Sequence, residues 1–267
     1  MKFSISSIVL LDKTLKESIN VISKENFHCW EIVCEGSHTL NSENIKFLEE
    51  VKEQYNVDIV THAPFSDLNP ATMNIKVKKL TIECIREAII GTAQLDGKVV
   101  TVHPGYIPPL WSSLPEKIIE NNYNTLIEIV NIGEEHNITI GLENMPNYPG
   151  VLGTTPNALK EIIKDINSKY LGITYDIGHS NTSTNGNSEE AHHHIKQLNK
   201  IGKGIVHVHC HDNNKKDDEH LAVGSGTINF EKVIKELKNI NYNNYISFES
   251  KNLEDALKSR EYIEKLL

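Results

Sequence analysis

A closed barrel of eight parallel strands, each followed by a helix, is the fold class this sequence predicts, and three observations point to it. Short β-rich runs alternate with helical patterns eight times along the 267 residues. That length fits one (β/α)8 barrel, which takes roughly 250 residues. No glycine-rich phosphate loop follows the first strand, which puts an open doubly wound sheet second. No linker or composition break divides the chain, so residues 1–267 read as one barrel domain.

The first strand spans Phe3 to Ser7, and Thr14-Leu15-Lys16-Glu17 then reads as a capping box that opens a helix. The second strand runs from Trp30 to Val33, before a helix over Ser42 to Tyr55 with an apolar stripe of Ile45, Leu48 and Val51. The third, Asp58 to Thr61, ends in His62-Ala63-Pro64, and the helix after it carries Leu80, Ile82, Ile85 and Ile89. The fourth, Val99 to Val102, ends in His103-Pro104-Gly105; its helix begins near Pro115 and runs through Leu126, Ile129 and Val130. The fifth, Ile138 to Leu142, ends in Glu143-Asn144, and Thr155-Pro156 marks a capped helix start with proline in the first turn. The sixth, Leu171 to Tyr175, ends in Asp176-Ile177-Gly178-His179. The seventh, Gly204 to His209, precedes a helix from about Phe230 to Leu237. The eighth, Tyr245 to Phe248, ends in Glu249 and leads into a last helix closing at Leu267.

Composition narrows the function. The chain is 39% hydrophobic and 24% charged, and no apolar run approaches the ~20 residues that cross a bilayer, so neither a membrane span nor a signal peptide is expected. Four scattered cysteines form no Cys-x-x-Cys pair, which predicts free thiols in a reducing cytoplasm; Cys210 is expected to face away from its ligand-rich neighbours. The net charge is −9 and the arginines are Arg86 and Arg260, so no basic stripe for general nucleic-acid binding is visible.

The densest run of potential metal ligands lies between Val206 and Gly226, where His207, His209, His211, Asp212, Asp218 and His220 occur within one strand and its loop. Alternation places His207, His209 and His211 on one strand face. Imidazoles and carboxylates so grouped suit borderline divalent ions such as zinc or manganese; a solvated polar loop beside buried histidines is the plainer alternative. The other strand ends weigh against that alternative. Functional groups of such barrels gather at the carboxyl ends of the strands, and those ends carry His62, His103, Glu143, Asp176 with His179, His209 and Glu249. A single histidine before a proline means little, but six of eight strands ending on a metal-binding residue type is hard to assign to chance.

The stretches T-H-A-P (61–64), H-P-G (103–105), G-L-E-N (141–144), D-I-G-H (176–179), H-C-H-D (209–212), D-E-H (218–220) and F-E-S (248–250) resemble the apurinic/apyrimidinic endonuclease IV branch of the xylose-isomerase-like TIM barrels. The resemblance runs in order from the third strand to the eighth. It implies three zinc ions: the first on His62 and His103, with Glu143 bridging to a second on Asp176, His209 and Glu249, and a third on His179, Asp218 and His220. Manganese is an acceptable occupant of one or more of these positions. Single-metal sugar and sugar-phosphate isomerases and epimerases of the same superfamily resemble the chain only at Glu143, Asp176, His209 and Glu249. They generally lack the Asp-x-His element present here as Asp218-Glu219-His220.

Charge arithmetic favours the cluster as a phosphate site. Four carboxylates (−4) and three divalent ions (+6) leave +2, whereas one ion with Glu143, Asp176 and Glu249 leaves −3 + 2 = −1. Departures from the DNA-repair members lie elsewhere: the first strand reads F-S-I-S-S, the segment after Trp30 reads E-I-V-C-E-G-S-H without arginines, and Phe65-Ser66 replaces the usual continuation after the first histidine. The expected enzyme is therefore a metal-dependent phosphoric diester hydrolase for a small phosphodiester, with an abasic-site duplex allowed but disfavoured. The alternative is a single-metal sugar or sugar-phosphate isomerase or epimerase in which Glu143 and Glu249 carry protons. His207 is expected one layer below His209 as a polar core residue, and His192-His193-His194 on a surface helix face. His211, Lys251, Asn69, Asn144 and Tyr106 are open as substrate or supporting contacts. The oligomeric state is not encoded in any motif.

Overall fold

Strands β1 (Lys2–Ser6), β2 (Cys29–Val33), β3 (Asp58–His62), β4 (Val99–Val102), β5 (Thr139–Glu143), β6 (Leu171–Asp176), β7 (Ile205–Cys210) and β8 (Tyr245–Phe248) close into a barrel in chain order, every neighbouring pair parallel. The structure is a computed structural model and describes residues 1–163 and 166–267. Lys2 pairs with Tyr245 and Ile5 with Phe248, joining β8 back to β1, so no strand edge stays open. The fold is the (β/α)8 barrel the alternating pattern predicts, with strand ends within a residue or two of their expected places.

Side chains divide as the period-two alternation requires. On β7, Val208 and Cys210 are buried toward the surrounding helices, while His207 and His209 turn into the barrel. The outward strand residues Ile32, Val100, Leu142, Ile173, Val208 and Ile246 form one continuous apolar layer with the helices. The barrel interior is polar instead. Thr101 Oγ1 of β4 meets Thr174 Oγ1 of β6 at 2.9 Å across the intervening β5. Gly141 permits this, since a Cβ there would lie 2.3 Å from the Thr174 hydroxyl.

The helices are α1 (Leu15–Ile22), α2 (Ser42–Tyr55), α3 (Ile75–Gln94), α4 (Pro115–Glu135), α5 (Pro156–Ile163), α6 (Ile177–Ser183), α7 (Ser188–Leu198), α8 (Phe230–Asn239) and α9 (Leu253–Glu264). Thr14 and Glu17 form both halves of the capping box expected for α1. Asparagine caps α2, α3, α7, α8 and α9 through Asn41, Asn74, Asn187, Asn229 and Asn252, each accepting from a first-turn N–H.

Glu31 lies mid-strand in β2, as the expected strand requires, and is fully buried. Two expectations need correction. The sequence after Tyr175 does not stop at a strand end, because Asp176 caps the short α6, accepting from His179 N at 2.6 Å. The His192–His194 tract is on a helix as expected, but His194 is buried and its Nδ1 lies 3.0 Å from Ser180 Oγ, so only part of the tract faces out.

Aromatic packing closes the β1–β8 seam. The Phe248 ring is fully buried, with ring centroids 5.6 Å from Phe3 and 6.3 Å from Phe27. Phe248→Ala is expected to lower stability by about 3–5 kcal/mol, the usual cost of an emptied aromatic site, measured as a shift in the urea midpoint.

Candidate metal centre

All nine candidate ligands converge on the carboxyl-end face of the barrel. His62 closes β3, His103 follows β4, Glu143 closes β5, Asp176 closes β6, His179 stands in the first turn of α6, His209 lies in β7, Asp218 and His220 occupy the following loop, and Glu249 follows β8. Glu143 is the hub. Its Oε2 lies 3.3 Å from His62 Nε2 and 2.9 Å from His103 Nε2, and its Oε1 lies 3.0 Å from His209 Nδ1 and 3.5 Å from His179 Nδ1. His209 Nδ1 also has Glu249 Oε2 at 3.5 Å and Asp176 Oδ2 at 3.8 Å. Beyond Asp176 a third group forms: Asp218 Oδ2 lies 3.1 Å from both His179 Nε2 and His220 Nε2.

The third group holds one more member than the sequence indicated. His211, considered there as a substrate contact, is fully buried, with Nε2 3.2 Å from Asp176 Oδ2 and 3.4 Å from Asp218 Oδ1. Its ring stacks on His220 at 4.0 Å between centroids. Gly178 makes room for that ring, since a Cβ there would lie 2.0 Å from His211 Cε1.

The hydrogen bonds behind the rings test whether cations fit. His62, His179 and His220 each place Nδ1 against a main-chain carbonyl, at Ala63 (2.7 Å), Asn144 (2.8 Å) and Glu249 (2.7 Å). A carbonyl can only accept, so Nδ1 carries a proton, and each ring in its neutral form presents a bare Nε2 to the centre. Those lone pairs face carboxylate oxygens, and His62 Nε2 faces His103 Nε2 at 3.1 Å. Lone pairs so aimed repel unless a cation or a proton lies between them. Ligands about 2.0–2.1 Å from a tetrahedral zinc sit about 3.3 Å from one another, the scale of these contacts. The donor set fits borderline divalent ions.

Electrostatics follow from the crowding. Burial works against every charge here, yet Glu249, Glu31 and Glu143 outweigh it at His209 and hold that ring well above its ordinary range. Asp176 and Asp218 do the same for His179, and Asp218 lifts His220 to about 9 against its own burial. His103 goes the other way, lowered by burial despite Glu143. Against burial, His209 and His103 hold Glu143 well below the usual carboxylate range. Burial raises Glu249. The two glutamates are thus driven to opposite protonation tendencies.

Loops around the centre are held by specific bonds. Asp212, from the ligand-rich run, is no candidate ligand: its carboxylate accepts from Asn213, Gly224, Gly226 and Ile228 N and shapes the loop that carries Asp218 and His220. Tyr148 Oη accepts from Asp218 N at 2.6 Å. Asp212→Ala leaves these N–H groups without their charged acceptor and is expected to cost about 3 kcal/mol. Thermal unfolding should show the loss, and trypsin should then cut the native protein at Lys215 and Lys216.

The remaining candidates take supporting places. Asn144 pairs its amide with the backbone of Asp176, and Asn69 pairs its own with the backbone of Tyr106, so both join loops. Lys251 is exposed. His207 lies one layer below His209, fully buried. Phe65 places its ring 4.9 Å from that of His62 and 4.5 Å from that of His103, giving the centre one apolar wall. Its backbone is fixed by Glu35 Oε1, which accepts from Phe65 N and Ser66 N. Glu31 was overlooked in the sequence; its Oε1 lies 2.9 Å from His209 Nε2 and 3.4 Å from His207 Nε2. A glutamate amid the apolar run C-W-E-I-V was the available signal.

The xylose isomerase-like TIM barrel family model matches residues 19–266, and the chain belongs to that family. An uncharacterised protein of Methanocaldococcus jannaschii is 57% identical over 267 residues, covering 100% of this chain and 89% of the relative. A crystal structure of a D-tagatose 3-epimerase-like protein superposes with a TM-score of 0.95 at 55% identity, covering 100% of this chain and 97% of that one. A probable endonuclease 4 of Bacillus licheniformis is 25% identical over 238 residues, covering 79% of this chain and 76% of the relative. Among the described residues no helix is long and apolar enough to cross a membrane.

Proposed function

We propose that the chain is a metal-dependent phosphoric diester hydrolase that uses three divalent ions, zinc foremost, on a small phosphodiester. One observation carries this: the group of His179, Asp218 and His220 stands beside the Glu143 centre, supplying more ligands than one ion can use. His62 and His103 would hold one ion, Asp176, His209 and Glu249 a second, and Glu143 both through its two oxygens. Zinc bound there supplies Lewis acidity toward a phosphodiester and a nucleophile from water at neutral pH. The chain's residues would fix the ligand geometry, and the Phe65 wall would exclude water from one side. Arg260 is committed to Glu25 O and the Phe27 face.

A single-metal sugar epimerase is the second reading, and the 55% identical structure titled D-tagatose 3-epimerase-like supports it. Glu143, held ionised, and Glu249, raised by burial, would form the base and acid of a proton transfer beside a carbonyl. Metal quantification joined to two assays separates them. About three ions per chain, with chelator-sensitive hydrolysis of bis-p-nitrophenyl phosphate and little on an abasic-site duplex, is the expected result. One ion per chain and solvent deuterium entering a ketohexose would overturn the hydrolase in favour of the epimerase.

A further inference from the structure

We infer that Glu31 is a positioning residue for the metal centre: from the opposite wall of the barrel it fixes the His209 ring so that Nδ1, not Nε2, meets the ion. This rests on His209 being a metal ligand, which both functional readings above require. His209 differs from the other candidate ligands in which end of its ring faces the centre. His62, His179 and His220 turn Nδ1 to a main-chain carbonyl and Nε2 inward. His209 turns Nδ1 to Glu143, Glu249 and Asp176, and its Nε2 points down into the barrel. Strand carbonyls there are taken up by the ladders between neighbouring strands, so no backbone acceptor can lock the ring. A side chain must do it. Glu31 Oε1 lies 2.9 Å from Nε2, reaching from β2 to β7 past β1 and β8.

A second imidazole flanks the carboxylate, whose Oε2 has no hydrogen-bond partner among the described residues. His207, two residues before His209 on the same strand, lies edge-on to the His209 ring at 5.1 Å and 88°, with Nε2 3.4 Å from the same Oε1. Glu31, His207 and His209 are all buried. A carboxylate in this position costs folding energy, and apolar residues would fill the barrel more cheaply. Its geometric return is a fixed tautomer: Nε2 protonated toward Glu31, Nδ1 bare toward the ion. Because Glu31 touches no ion and no substrate position, its effect runs through His209.

The test uses zinc-loaded full-length protein. Competition with a chromophoric chelator should show one ion bound about 10- to 100-fold more weakly in Glu31→Gln, with the other ions as in wild type. Glu31→Asp, which keeps the charge one methylene back, should recover part of that loss. In wild type, nitrogen-15 spectra of the histidine rings should show His209 protonated at Nε2 and metal-bound at Nδ1. Unchanged affinity for every ion in Glu31→Gln, or His209 protonated at Nδ1 in wild type, would overturn the role of Glu31. So would an additional ion on Glu31, His207 and His209. If Glu31→Gln does not fold, the wild-type spectra decide alone. One ion per wild-type chain would strike the three-ion hydrolase without touching Glu31, so the two failures are separable.

Discussion

Glu143→Gln is expected to cost the protein two ions at once and to lower phosphodiester hydrolysis by about 10³-fold or more. The reason is the position of that carboxylate. One oxygen faces His62 and His103, the other His209 and His179. An amide keeps the shape but offers one acceptor oxygen, and its NH2 would be turned against ring nitrogens. The contrast is Asp218→Asn, which should release only the ion of the His179–His220 group, because Asp218 bonds to neither His62 nor His103. Metal counts by mass spectrometry on the two variants should therefore differ, about one ion left against about two. Equal counts would mean that Glu143 does not bridge.

The second large effect is on pH. Bound zinc needs neutral rings, yet His209 and His179 are held well above their ordinary value of 6.5 and His220 is raised to about 9. Loading must therefore expel protons, and affinity should rise about tenfold per pH unit for each proton displaced, up to pH about 9. Metal-free stability runs the other way. A ring whose folded pKa is raised stabilises the fold fully below 6.5, and that contribution is lost as pH climbs through the folded value, about 9 for His220. Glu143 and Asp218 are depressed, so their contribution is present above the ordinary carboxylate values of 4.5 and 3.8 and fades in acid. The metal-free protein should melt highest between pH about 4.5 and 6.5, and the zinc-loaded protein at higher pH. Melting curves from pH 5 to 9 with and without zinc check this, and calorimetry in buffers of different ionisation enthalpy counts the protons. A metal-free melting temperature that climbs steadily to pH 9 would refute it.

Much of this was legible in the chain. Strand ends such as His62, His103, Glu143 and Asp176 follow short β-branched runs, and the barrel rule sends every strand end to one face, so their convergence could be expected from spacing alone. The helix start at Thr14 announced itself through local capping chemistry, and that at Pro115 through a proline in the first turn. What escaped depends on contacts across the barrel. Glu31 meets His209 from a strand far away in sequence; the apolar run around it signals burial, but nothing local names its partner. His211 shares the face of His207 and His209, but its place beside Asp218 is set by how the loop shaped by Asp212 folds back. The short α6 was hidden because Asp176 serves as strand end and helix cap together.

The sequential closure of the barrel also orders events in the life of the chain. Residues that meet at Glu143 come from positions 62 to 249, and the Glu249 carbonyl that locks His220 arrives with β8. A ribosome-bound fragment lacking β8 has no closed ring on which to seat them, so a nascent chain should leave zinc to its competitors. Under the three-ion reading, full loading of the Glu143 centre would therefore wait for the closed barrel.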